Sequence, residues 1–96
     1  MDEVVRREIF SMSRVAHDLT ERSYQADPSK SGDVDWPEKQ RILLADMALH
    51  LLQTALREGA LSKDDLKRNL FSILTISEQF VDGHDLKLFA DTLYSS

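Results

Sequence analysis

The chain contains no cysteine, which excludes a disulfide framework and every thiolate metal site. Glycine and proline are scarce too, three and two in 96 residues, so few places can break a helix. No stretch comes near the roughly 18 consecutive apolar residues of a membrane span. The acidic, mixed-charge start at Met1-Asp2-Glu3 lacks the basic, then apolar, order of a secretory signal. A cytoplasmic protein is the expectation. An excess of basic charge is also missing. The net charge of −5 is spread along the chain, with lysines and arginines interleaved among acids. Nucleic-acid binders draw affinity from concentrated positive charge, so nucleic acid is not an expected partner.

What is present is helical periodicity. Val5, Ile9, Met12, Ala16 and Leu19 recur at steps of four and three, one apolar seam on a first helix over about 2–25. Glu3 with Arg7, and Arg14 with Asp18, stand four apart and can pair along it. Residues 26–36 read as a loop. Asp35 and Glu38 then have capping-box spacing around Pro37, opening a second helix over about 36–58. Ser62 and Asp65 repeat that spacing, with Leu61 and Leu66 as a hydrophobic staple, for a third helix over 62–81. A short fourth follows over 85–94. Short connections make neighbours antiparallel, so the expected fold is all-α: one domain over residues 1–96, a bundle of three long helices closed by a short one.

The second helix is unusual. Lys39, Asp46, His50, Gln53 and Arg57 form one narrow polar stripe, and nearly everything else from Ile42 to Leu56 is apolar. The apolar arc is roughly twice the 100° that a surface helix needs. Part of it belongs to a central helix covered on two flanks. The remainder is expected to meet another protein or a second copy of the chain. Leu44, Met47, Ala48, Leu51 and Ala55 are the expected contact residues, with Trp36 as an anchor at the end of the bundle.

Three further patterns bear on chemistry. From Asp27 to Glu38 the loop offers oxygen ligands at Asp27, Ser29, Ser31, Asp33, Asp35 and Glu38, with Gly32 at the sharp turn. In this it resembles an EF-hand loop, which implies calcium. Serines in place of acids, Pro28 and Pro37 within the loop, and the want of a second loop all depart from that pattern. His17 with Glu21, and Asp46 with His50, are four apart, and such pairs can share a metal across a bundle. Both fall outside the main apolar seams and neither is part of a Glu-x-x-His motif, so surface ion pairs are expected and no metal is favoured. Ala55, Gly59, Lys63, Lys67 and Arg68 outline a helix-turn-helix, but Asp64 and Asp65 occupy the turn that would approach DNA. There is no glycine-rich phosphate loop and no nucleophile with a base beside it, so neither an enzyme nor a cofactor is expected. The expected class is a small interaction module, a regulator, adaptor, inhibitor or assembly factor. A calcium-binding protein and a DNA-contacting one are the alternatives.

Overall fold

A computed structural model describes residues 1–94 and, among them, every regular element is helical: α1 (Glu3–Ala26), α2 (Trp36–Leu56), α3 (Lys63–Ser77) and α4 (Leu86–Asp91), with 3₁₀ turns at Glu78–Phe80 and Thr92–Tyr94. The all-α bundle expected from periodicity is the observed class. The third helix ends sooner than expected, passing into a 3₁₀ turn after Ser77. No helix among the described residues is long and apolar enough to cross a membrane.

Local chemistry sets most of the boundaries. Asp2 caps α1 by accepting from the backbone of Val4 and Val5. Ser62 caps α3 through the Asp65 amide, and Asp85 caps α4 through that of Leu88. The box expected at Asp35 does not form. Asp35 has helical dihedrals rather than the extended ones of a cap and its side chain caps nothing, while Asp33 accepts the Trp36 amide through its carbonyl. Gly59, at φ 93°, makes the left-handed step between α2 and α3 that a side chain would resist.

Cross-links between helices fix their directions. Arg6 reaches the Leu56 carbonyl and Thr20 the Asp46 carboxylate, so α1 and α2 run antiparallel. Arg57 pairs with Asp65, and Gln40 accepts from Gln79, so α2 and α3 do as well. The central helix packs against α1 on one side and α3 on the other, while α1 and α3 scarcely meet. The bundle is therefore open. Its radius of gyration is 15.1 Å, against about 12.5 Å for a compact chain of this length.

That openness overturns one expectation about α1. Val5, Met12 and Leu19 are not buried in a core but stand 44, 64 and 53% exposed. The helix instead turns Phe10, Ser13, His17, Thr20 and Tyr24 inward, a second row at steps of three and four. The cause lies in α2, whose buried positions are themselves polar: Gln40, Asp46 and Thr54. Polar side chains taken out of water need partners: α1 supplies those of Asp46 from His17 and Thr20, and Gln40 accepts from Gln79 on the other side. Large apolar groups are left only partly covered, and Ala90 is the one hydrophobic residue among the described ones that is fully enclosed.

Candidate functional site

Two features face opposite sides of α2. On one side, α1 exposes the row Val5, Met12 and Leu19, and α2 exposes a row of small residues, Ala45, Ala48 and Ala55. Leu19 and Ala45 line one shallow groove between the helices, together with Thr20, Ser23, Ile42, Glu38 and Arg41, which brings the two rows together at this end. The seven-residue interval of Val5, Met12 and Leu19, with Ile9 and Ala16 between, is the spacing by which one helix accepts another along a seam.

The expected contact residues are divided by this arrangement. Ala48 and Ala55 are exposed on the open face, whereas Leu44, Met47 and Leu51 are half-buried. Met47 lies with Gln40 and Thr54 on the side of α2 that faces α3, where it lines a groove with Asn69 and Ser72. Trp36 is half-buried as well, and its ring and that of Tyr24 both face the ammonium of Lys39, at 5.8 and 4.7 Å from the ring centroids. The row on α1 was readable from sequence as a seam, but not as an exposed one.

On the opposite side of α2, its polar stripe meets the inward row of α1. His17 Nε2 lies 2.8 Å from His50 Nε2 and 3.3 Å from Asp46 Oδ1, while His50 Nε2 lies 3.5 Å from Asp46 Oδ2. The rings meet edge to face, with centroids 4.3 Å apart. Thr20 donates to Asp46 Oδ1 at 2.7 Å, and Glu21 Oε2 sits 3.9 Å from His17 Nδ1. The two histidine–acid pairs thus form one cross-helix cluster, not separate surface ion pairs. Periodicity missed it because both pairs lie off the apolar seams, and the register that joins them is tertiary.

The loop over 27–38 is organised by its own backbone. Asp27 accepts from the Ser29 amide, which holds its carboxyl below the usual range, and Asp33 accepts from the Lys30 amide. The Lys39 ammonium takes the carbonyls of Asp27 and Ser29, placing a resident cation against the loop. Among the described residues, the carboxylates of Asp27, Asp33, Asp35 and Glu38 do not converge into a three-ligand group, whereas His17, Asp46 and His50 do. Around the turn after α2, Arg57 and Arg68 are both engaged by Asp65, whose carboxyl is lowered chiefly by Arg68. Asp65 thus partly offsets these two exposed arginines, placing negative charge in the turn where a phosphate would approach. Comparison of the chain with protein-family models, curated proteins and solved structures finds no match.

Proposed function

We propose that the protein is a non-enzymatic, self-associating interaction module whose open α1/α2 face binds the same face of a second copy. The observation that carries this is area. The chain exposes 6792 Å², whereas a folded monomer of 11.0 kDa is expected to expose about 5600 Å². The surplus exceeds the roughly 800 Å² that each partner contributes to a standard interface. Three exposed apolar residues, Val5, Met12 and Leu19, share one seam of α1, which at Leu19 adjoins the alanine row of α2, small residues that let a neighbouring backbone approach closely. A second copy offers the same seam, as an isologous interface requires. Small helical domains with thin cores gain burial in this way. A chain without cysteine fits a reducing compartment, and we place its work in the cytoplasm.

The test is Met12→Glu, with Ala48→Glu as an independent lesion on the neighbouring helix. Both side chains are exposed within the chain, so helicity by circular dichroism is expected to persist. The mass by light scattering is expected to fall to that of one chain. A variant with wild-type mass contradicts the assignment of this face.

A further inference from the structure

We propose that His17, Asp46 and His50 form a binding site for a first-row divalent metal ion, with zinc as the fitting ion. The donor atoms already stand at the spacing that an ion imposes. Ligands held tetrahedrally at 2.0–2.1 Å from zinc lie about 3.3 Å from one another. Here the two Nε2 atoms are 2.8 Å apart, and the Asp46 carboxylate approaches that of His17 with Oδ1 at 3.3 Å and that of His50 with Oδ2 at 3.5 Å. Entry of the ion requires the two imidazole nitrogens to part by about half an ångström, within reach of small ring rotations.

The chemistry of the donor set selects the ion. Two imidazole nitrogens and one carboxylate oxygen suit zinc, cobalt, nickel or copper, and hard cations such as calcium want oxygen alone. The two Nε2 atoms face each other at hydrogen-bond distance, so one of them carries a proton and donates to the other. To bind the ion that ring shifts its proton from Nε2 to Nδ1, so that both neutral rings are protonated at Nδ1 and bound through Nε2 with no net proton lost.

The surroundings are those of an outer shell. Glu21 lies toward Nδ1 of His17, where a carboxylate orients a metal-bound imidazole, and Thr20 holds the Asp46 carboxylate by its hydroxyl. Asp46 is 7% exposed, so the anion is kept out of water with only these neutral or titratable partners. A divalent cation compensates such a charge directly. His50 also lines the groove between α2 and α3, which gives the ion a route in and leaves the fourth position to water.

The site joins α1 to α2 through side chains on both. For a chain with no disulfide and little enclosed apolar volume, an ion at this point is a staple. The site lies across α2 from Ala48 and Ala55, so it is independent of the proposed self-association.

The experiment is titration of the chelator-treated chain with zinc, followed by calorimetry and by nitrogen resonances of the imidazoles. One zinc per chain is expected. The Nε2 signals of His17 and His50 are expected to move together, while those of His84, in the exposed turn before α4, stay in place. At zinc a hundredfold above Kd, Tm is expected to rise by about 10 °C or more. His50→Gln, the lighter lesion because its ring is partly exposed, is expected to abolish that rise, and Glu21→Gln to weaken binding about tenfold. Cobalt in place of zinc is expected to give the visible absorption of a four-coordinate ion. Absence of zinc binding below millimolar concentration overturns the proposal. So does binding that leaves the His17 and His50 resonances in place or survives in His50→Gln unchanged.

Discussion

Asp46 shows how one buried acid organises its neighbourhood. A carboxylate withdrawn from water must be met by donors, and here the Thr20 hydroxyl of the other helix donates to it, with the His17 imidazole 3.3 Å away. Thr20→Val keeps the shape of the side chain and removes its donor. Loss of about 1.5–3 kcal/mol in urea unfolding is expected, the range for a hydrogen bond to a charged group. A loss within error of zero would mean that water satisfies Asp46 instead. At the start of α1, Glu3 is held to about 2 by its hydrogen bonds to Arg6 and the nearby charges of Arg6 and Arg7. Its folded value lies below the ordinary 4.5, so its contribution is full above about pH 4.5 and fades as pH falls toward 2. The carboxyl resonance of Glu3 is expected to titrate near 2; a midpoint near 4.5 would show that the Arg6 contact does not persist in solution. The acid and the two histidines were each visible in sequence as i,i+4 pairs. Their convergence was not, because helical spacing determines what shares a face and is silent about which faces meet.

Among the helices, capping chemistry was the most legible signal and still divided. Ser62 and Asp35 carry the same spacing to an acid three residues on, yet only Ser62 caps. Ser62→Ala is expected to cost about 1 kcal/mol and Asp35→Ala almost nothing, measured side by side in urea. Equal losses would contradict the observed difference. The distinction follows from the chain before each cap. Ser62 enters α3 in an extended conformation, whereas Asp35 enters α2 through a turn already closed by Asp33. The seam of α1 teaches a related lesson. Hydrophobic periodicity located Val5, Met12 and Leu19 correctly on one face, but the face packed against α2 is the row through Ser13, His17 and Thr20. Apolar patterning assumes that the buried side is the apolar one. That assumption fails when the partner helix presents a buried acid, Asp46, to be met.

For the molecule as a whole, the polar contacts within the chain and the apolar face outside it belong to one design. Helix α2 spends its polar stripe on α1 and α3, which leaves its alanines and the α1 row uncovered. The result is a spread arrangement, 44 × 37 × 18 Å, with more surface than its mass calls for. A second copy on that face would supply the burial that the chain alone lacks, and the central claim concerns that copy. Sedimentation equilibrium of the wild-type chain over a range of micromolar concentrations addresses it most directly. A mass near 22 kDa, twice the 11.0 kDa chain, is expected, shifting toward one chain only on dilution. A mass of 11.0 kDa that holds across the whole range would contradict self-association and leave the α1/α2 face without its proposed partner.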